Sequence, residues 1–256
     1  MRVVRFAAKG NDRIGVIEDD NVRAVSGSLD TFWQLTDDVF PLAEVRLLAP
    51  CVPKQIICVG SNYKKHSAEI TFEYAHEPIL FGKAAHTIIG QGETIIYPPQ
   101  TSRLVYEAEL GIVIKRKMHN ITPEQAYQYI LGYTCANDVT ARDLQLQDKQ
   151  WLRCKSFDTF CPLGPWLETD LDPQDLAIKS YLNGELKQEA RTSEMVYTPY
   201  ELLSYISQNM TLDAGDLILT GTPHGDGEMN PGDEVTIEIE GIGKISNMSI
   251  CTQYRR

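Results

Sequence analysis

The most informative stretch of the chain is VYEAELGIVI, at residues 105–114. If this stretch is a β-strand, its side chains alternate between two faces. Glu107 and Glu109 then point from one face, and the other face is apolar, formed by Tyr106, Ala108, Leu110, Ile112 and Ile114. The two carboxylates start about 7 Å apart and repel each other by about 2 kcal/mol at an effective dielectric of 20. The pattern therefore predicts a strand whose acidic face needs a compensating charge.

Two interpretations of this acidic face remain open, a solvated exterior or a binding site. Gly111 allows another group to approach closely and Val113 continues the same face, which is not typical of a polar exterior. A third acid, Asp138, follows the apolar run 131–136 at the predicted end of another strand. Asp138 is placed to be a third ligand or a helix cap, since a helix-like ARDLQ segment begins at residue 141.

Three carboxylates without a cysteine or histidine among them are typical of a site for a hard cation. Such a site favours Mg²⁺ or Mn²⁺, is compatible with Ca²⁺ and disfavours Zn²⁺. Three protein ligands leave coordination positions open for a bidentate oxygen ligand of a substrate. The sequence therefore indicates a divalent metal that acts as Lewis acid and template.

The segment GSNYKKHSAE, residues 60–69, contains a candidate general base. His66 and Glu69 are three residues apart and would meet on one helical turn, where the carboxylate would raise the basicity of the imidazole. A surface ion pair is the alternative. Because the segment is charged and follows a predicted strand, we interpret it as a lid that brings the base to the metal.

The 256 residues are predicted to form two units, a small amino-terminal β-subdomain at 1–48 and a main domain at 49–256. Short predicted strands lie at residues 3–7, 13–17, 22–25 and 55–59, and Asn183 with Gly184 is a strong hairpin signal. The pattern favours a predominantly β, barrel-like or roll-like body with a few helices over a doubly wound α/β sheet.

Two helices are predicted from their amino-terminal signals. The first has Thr122, Pro123 and Gln125 in a capping-box arrangement and is expected to stop at Gly132. The second repeats this arrangement at residues 198–201.

The composition excludes several classes of partner. The chain has 24 Lys and Arg against 35 Asp and Glu, for a formal net charge of −11, and it has no basic stripe, so we expect no nucleic-acid partner. No apolar run approaches about 20 residues and no signal peptide is evident, so we expect no membrane contact and a cytoplasmic location. The six cysteines form no CxxC pair and are interpreted as reduced core residues. The absence of nucleotide-loop, zinc-protease and serine-hydrolase motifs predicts no organic cofactor.

Six stretches together resemble the pattern of the fumarylacetoacetate hydrolase family, in particular its short members. They occur in the family's order: GSNYKKHSAEI at 60–70, FGKAAHTIIGQGETIIYP at 81–98, YEAELGIVI at 106–114, GYTCANDVTARDLQ at 132–145, CKSFDTFCPLGP at 154–165 and LTGTPHGDG at 219–227. The resemblance covers the chain from Gln55 onward and implies a mixed-sheet roll and a homodimer.

The resemblance also implies roles for individual residues. It assigns metal binding to Glu107, Glu109 and Asp138, and water activation to the dyad of His66 and Glu69. It further implies an oxyanion-stabilising role for Lys155, together with substrate contacts at Ser61, Arg142, Gln145 and Thr222. Considered alone, Lys155 and Thr222 would be ordinary surface and turn residues.

By resemblance, the expected function is hydrolysis of a C–C bond in a 2,4-dioxo acid of acylpyruvate or fumarylpyruvate type, through a metal-bound enolate. The alternatives are an oxaloacetate decarboxylase, an isomerase or decarboxylase of 2-hydroxy-dienedioates, and a non-catalytic protein that binds 2-oxo acids. In every case the partner is a small 2-oxo acid.

The chain departs from the family's usual pattern in one loop. Where the family usually has a small or apolar residue followed by GVG, this chain has His224, Gly225, Asp226 and Gly227. Asp226 and His224 would either change substrate choice or form a local ion pair. Arg103 is a further candidate to receive a substrate carboxylate.

Overall fold

The computed structural model of the chain describes residues 1–29, 31–64 and 77–251. Within these ranges it has 20 strands: β1 Arg2–Ala8, β2 Asn11–Glu18, β3 Asn21–Gly27, β4 Trp33–Pro41, β5 Arg46–Leu48, β6 Ile56–Gly60, β7 Ile79–Lys83, β8 Ile88–Ile89, β9 Ile95–Tyr97, β10 Leu104–Tyr106, β11 Ala108–Ile114, β12 Ile130–Asn137, β13 Thr140–Ala141, β14 Cys161–Glu168, β15 Ala177–Leu182, β16 Glu185–Arg191, β17 Leu217–Leu219, β18 Gly227–Glu228, β19 Glu234–Ile239 and β20 Gly243–Cys251.

Helices are few and short among the described residues. The α-helices are α1 Arg142–Gln147, α2 Leu152–Lys155 and α3 Pro199–Asn209, and the 3₁₀-helices are Leu42–Glu44, Ala85–Thr87, Pro123–Tyr129 and Thr192–Glu194. None of these helices is long and apolar enough to cross a membrane. The predicted fold class, predominantly β with few helices, is confirmed.

The described strands form three sheets and no closed barrel. The largest has the order β4-β3-β2-β1-β14-β12-β11-β17-β6-β7, with β5 on β1 and β8 on β14. The others have the orders β13-β10-β18 and β16-β15-β19-β20-β9. Most pairs are antiparallel, but β17 with β6, β14 with β8 and β20 with β9 are parallel, so the sheets are mixed.

Strand β1 of the amino-terminal region pairs with β14, so both predicted units share the largest sheet. The predicted boundary between the two units at residue 48 stays a prediction.

Strand β11 lies in the middle of the largest sheet, and both of its faces are buried. Leu110, Ile112 and Ile114 belong to one apolar cluster, together with residues of the five-stranded sheet and α3. Val113, on the acidic face, belongs to a second cluster with Leu217 of β17 and other residues. The solvated interpretation of the acidic face is therefore wrong, because a second apolar layer covers it.

The sequence predicted one continuous strand over residues 105–114, and this is wrong at one position. The strand breaks at Glu107, which lies between β10 of the three-stranded sheet and β11 of the largest sheet. The Asn137 side chain compensates for the interrupted ladder, because its Oδ1 accepts a hydrogen bond from the Glu107 N–H at 2.9 Å. Because Glu107 lies between the two strands, its side chain does not have to follow the alternation of either strand.

The first predicted helix differs from the structure in type and length. Its capping box between Thr122 and Gln125 is present, but the helix is a 3₁₀-helix that ends at Tyr129. Gly132, the expected stop, lies inside β12, where an added Cβ would come within 2.9 Å of the Glu168 carbonyl oxygen. This glycine therefore serves close strand packing and does not end a helix.

The remaining local predictions agree with the structure in most respects. Helix α3 begins after the Thr198 cap as expected, and residues 183–184 join β15 to β16 in a hairpin. The six cysteines are unpaired; five are buried, whereas Cys251 is exposed.

Candidate metal centre

Three acidic side chains converge in the buried interior beside β11. Oxygen atoms of Glu107, Glu109 and Asp138 all lie within 4.8 Å of one another. The three residues are 4%, 1% and 0% exposed, respectively. The structure therefore brings together the three predicted metal ligands, from positions up to 31 residues apart in the sequence, by pairing β11 with β12.

The backbone of two neighbouring strands fixes this convergence. Ala108 is paired with Asn137 in the β11–β12 register, so Glu107 and Asp138 lie at the same end of the pair. The Asp138 N–H donates to the Glu107 carbonyl oxygen at 2.9 Å. Asp138 follows the last residue of β12, and the residue before α1 is Ala141, so Asp138 is not the cap of that helix.

Glu109 is the most isolated of the three carboxylates. Within the described ranges, the Gly221 N–H donates a hydrogen bond to its Oε2 at 2.7 Å. Burial raises its pKa well above the usual carboxyl range, and the neighbouring Asp138 raises it further. A buried carboxylate next to two others is an arrangement that a divalent cation would stabilise.

Gly221 holds this contact in a conformation that favours glycine. Its φ is +97°, and an added Cβ would lie 2.8 Å from the Cβ of Asn62. Asn62 in turn donates to the Thr220 carbonyl oxygen at 2.8 Å, which fixes the loop against the end of β6. The backbone donor to Glu109 is thus positioned by this buried hydrogen bond and by the close approach of Asn62 to Gly221.

Two buried lysines neutralise much of the acidic charge. Lys155 Nζ lies 2.7 Å from Glu107 Oε2 and 2.5 Å from Asp138 Oδ2. Lys83 Nζ lies 2.5 Å from Asp138 Oδ1, and its side chain is fully buried. Burial alone would lower the pKa of Lys155, but the Asp138 and Glu107 charges outweigh it and raise that pKa. Lys155 therefore remains a cationic partner of both acids.

Arg142 adds a third cation at the outer side of the cluster. Its Nη2 donates to Glu107 Oε1 at 2.7 Å and also to Asp226, and its Nη1 donates to Gln145. Burial tends to lower the pKa of Arg142, and the Glu107 and Asp226 carboxylates reverse this effect. Of the predicted substrate contacts, Arg142 thus lies directly beside Glu107, and Gln145 is held next to Arg142.

The other predicted contacts lie at varying distances from the acids. Thr222 is buried, and its Oγ1 accepts from Gln188 Nε2 at 2.8 Å. Ser61 is half-buried at the end of β6 with a φ of +53°, and no contact within the described ranges joins its side chain to the three acids. Arg103 pairs with Glu228 at 2.7 Å and is half exposed. His66 and Glu69 lie outside the described residues.

Sequence reasoning did not identify two residues that support the site. Lys83 lies in the FGKAAHT stretch, and a lysine on an otherwise apolar strand is the one signal that could have marked it. Gln188 is fully buried and accepts from the Ala108 N–H at 3.0 Å, which ties β11 to the Thr222 loop. Nothing in its local sequence distinguishes Gln188 from a surface glutamine of β16.

A cleft of about 780 Å³ adjoins the acidic cluster at Arg142, which contacts Glu107. Arg142, Gln145 and Asp226 line its inner end, and Phe81 and Trp151 line its wall. The arrangement offers a charged centre, a polar border and an adjoining space for a small molecule, which is the usual form of a small-molecule site.

Comparison with known proteins identifies relatives over nearly the whole chain. The family described as "Fumarylacetoacetate (FAA) hydrolase C-terminal" matches residues 55–248, and "Rv2993c-like, N-terminal" matches residues 1–50. The crystal structure of a 2-hydroxyhepta-2,4-diene-1,7-dioate isomerase from Mycobacterium marinum is 41% identical, with a TM-score of 0.93 over 99% of both chains. The mitochondrial oxaloacetate tautomerase FAHD2B of Bos taurus is 44% identical, over 96% of this chain and 78% of that protein.

A more distant structural neighbour carries a metal. It is the maleylpyruvate hydrolase of Sphingobium sp. SYK-6 in complex with manganese (II) ion and pyruvate, which is 27% identical with a TM-score of 0.82 over 99% of this chain and 100% of that one. The matched family model covers most of the chain. The chain therefore belongs to the fumarylacetoacetate hydrolase family.

Proposed function

We propose that the chain is a divalent-metal-dependent enzyme that transfers a proton at the carbon next to the carbonyl of a 2-oxo acid, and so interconverts its keto and enol forms. The observation that carries this proposal is the buried convergence of Glu107, Glu109 and Asp138. The isomerase and tautomerase names of two relatives that match nearly the whole chain support it.

The donor set fits a hard divalent cation. Glu107, Glu109 and Asp138 would hold it, because they are buried carboxylates whose oxygen atoms lie within 4.8 Å of one another. Mg²⁺ or Mn²⁺ is the expected ion and Ca²⁺ is compatible. When bound, the ion would supply a Lewis acid that withdraws charge from the 2-oxo group.

The side chains around the acids would orient the substrate. Lys155 is a buried cation that contacts both Glu107 and Asp138, so it would place positive charge where an enolate oxygen gains negative charge. Gln145 and Arg142 line the inner end of the cleft and would fix the position of the substrate beside the acids. His66, with Glu69, stays the predicted base for the proton transfer.

Hydrolysis of a 2,4-dioxo acid is the second candidate. The specific observation in its favour is the likeness to the maleylpyruvate hydrolase, together with the HxxE pair at residues 66–69. Both reactions require that the 2-oxo group take up negative charge as an enolate, and hydrolysis also requires an activated water. The decarboxylase alternative, the homodimer and the cytoplasmic location also stay predictions.

The experiment compares both reactions in one preparation. Keto–enol exchange of phenylpyruvate is followed by loss of enol absorbance, and cleavage of acetylpyruvate by release of acetate, each with Mg²⁺, Mn²⁺ or EDTA. We expect metal-dependent exchange that falls at least about a hundredfold in Glu109→Gln. Glu189→Gln removes the same charge from an exposed site and is the matched control.

The outcomes separate the two candidates. Acetate release that requires metal and is lost in His66→Ala would favour hydrolysis. If EDTA and Glu109→Gln leave both reactions unchanged, the proposed metal-dependent enzyme is rejected.

A further inference from the structure

The cleft that adjoins the acidic cluster has a mostly apolar wall. The ring of Phe81 lies beneath Lys155, with Nζ 4.9 Å from the ring centroid, and packs edge-on against Trp151 at 5.1 Å between centroids. The apolar lining comprises Ile79, Leu80, Phe81, Leu146, Trp151 and Leu152. A molecule bound at the acids would therefore extend along a hydrophobic surface.

The cation at the inner end of the cleft is already engaged by carboxylates of the chain. Arg142 Nη2 donates to both Glu107 and Asp226. The side chains of Arg142 and Asp226 are only 13% and 15% exposed, so this ion pair is largely removed from water. A second carboxylate on a substrate would have to displace Asp226 or lie beside it, and like charges at close range disfavour binding.

Among the described residues that line the cleft, no other charged side chain takes the place of this cation. Asp148 accepts from Arg153 Nε at 2.8 Å and from Nη2 at 2.7 Å, so Arg153 is directed to that acid. Lys149 is exposed, where water and salt screen its charge.

We propose that Asp226 determines substrate specificity: it disfavours 2-oxo acids with a second carboxylate and directs the cleft toward 2-oxo acids whose far end is uncharged and apolar. This inference rests on the proposed function, because it assumes that the 2-oxo acid group binds at the three acids. The substrate class is then a monocarboxylic 2-oxo acid with an aliphatic or aromatic tail. The tail would lie against Phe81 and Trp151.

The test measures binding of two ligands of equal chain length, 2-oxohexanoate and 2-oxoadipate, by titration calorimetry with saturating Mn²⁺. We expect the wild-type chain to bind 2-oxohexanoate at least about tenfold more tightly than 2-oxoadipate. We expect 2-oxobutanoate to bind more weakly than 2-oxohexanoate, by about threefold for each methylene removed. In Asp226→Asn the preference for 2-oxohexanoate should fall at least about tenfold, because Arg142 becomes available to the second carboxylate.

Asp148→Asn is the matched control. It also removes one negative charge from the cleft, but Asp148 is paired with Arg153 and not with Arg142. We expect it to change the ratio of the two affinities by less than about twofold. Equal binding of both ligands to the wild type, or an unchanged ratio in Asp226→Asn, would overturn the inference and leave the proposed function standing. Failure of every 2-oxo acid to bind with Mn²⁺ would overturn the proposed function and the inference with it.

Discussion

The acidic cluster and the amino-terminal sheet both contain short ion pairs, but their surroundings differ. Lys155 and Asp138 are 2.5 Å apart with side chains 2% and 0% exposed. Arg13 and Asp38 are 2.7 Å apart with side chains 31% and 60% exposed. Because water screens exposed charges, the surface pair contributes little, whereas removing one partner of the buried pair leaves a costly charge. Ion pairs of similar length therefore differ in their effect on stability. Burial, and not distance, distinguishes the pair that belongs to the candidate site.

The largest change in stability is expected at the buried ion pair of Lys155 and Asp138. Lys155→Met removes a cation that contacts both Glu107 and Asp138 and leaves their charges without it. We expect the free energy of unfolding, measured in urea without metal, to fall by about 3–5 kcal/mol. Lys179→Met is the control, because Lys179 pairs with the exposed Glu189, and its effect should stay below about 1 kcal/mol. Equal losses in the two variants would contradict the comparison.

In the metal-free chain, Glu109→Gln should raise the free energy of unfolding, whereas Lys155→Met lowers it. The folded-state pKa of Glu109 is raised by burial and by Asp138, so its contribution to stability is present below the usual carboxyl value of 4.5 and is lost as the pH rises toward the raised pKa. We expect the variant to be more stable than the wild type by about 1–3 kcal/mol at neutral pH, with the difference vanishing near pH 4. Thermal melts across this pH range measure the difference. If the variant is less stable than the wild type at neutral pH, the surroundings of Glu109 stabilise its negative charge in the folded chain and the expected cost of burial is wrong.

Gly221 offers an intermediate test of how the loop positions Glu109. Gly221→Ala introduces a Cβ at a φ of +97° and 2.8 Å from Asn62, so we expect a loss of about 2–3 kcal/mol. Gly184 is a useful comparison, since it has a φ of +81° in an exposed hairpin with nothing within 4 Å of an added Cβ. Gly184→Ala should cost about 1 kcal/mol. If the two substitutions cost the same, the contact with Asn62 carries no strain.

The smallest effect is expected at the surface. Asp38→Asn removes the exposed partner of Arg13, and we expect the free energy of unfolding to change by less than about 0.5 kcal/mol. The change should shrink further in 1 M salt, because exposed charges are then screened. A loss comparable to that of Lys155→Met would show that exposure does not separate the two regions.

Much of the candidate site was predictable because its strongest signals are local. Alternation over residues 105–114 indicated a strand, and the break at Glu107 did not prevent its carboxylate from meeting Glu109. Asp138 was predictable from its place after an apolar run. The cap of α3 was predictable because a capping box is decided by four neighbouring residues.

Other features depend on contacts between distant parts of the chain, which local patterns do not encode. Lys83 meets Asp138 although 55 residues separate them, because the topology brings their strands to one site. Gln188 lies 80 residues from Ala108 and meets it across two sheets. Gly132 was misinterpreted as a helix stop because its reason, the close approach of the Glu168 carbonyl oxygen, lies 36 residues away.

The central claim, that Glu107, Glu109 and Asp138 bind one divalent cation, is tested most directly by calorimetric titration of the metal-free chain with Mn²⁺. We expect one site per chain, loss of that site in Glu109→Gln and its retention in Glu189→Gln. Equal Mn²⁺ binding by the wild type and Glu109→Gln, or no binding by the wild type, would contradict it.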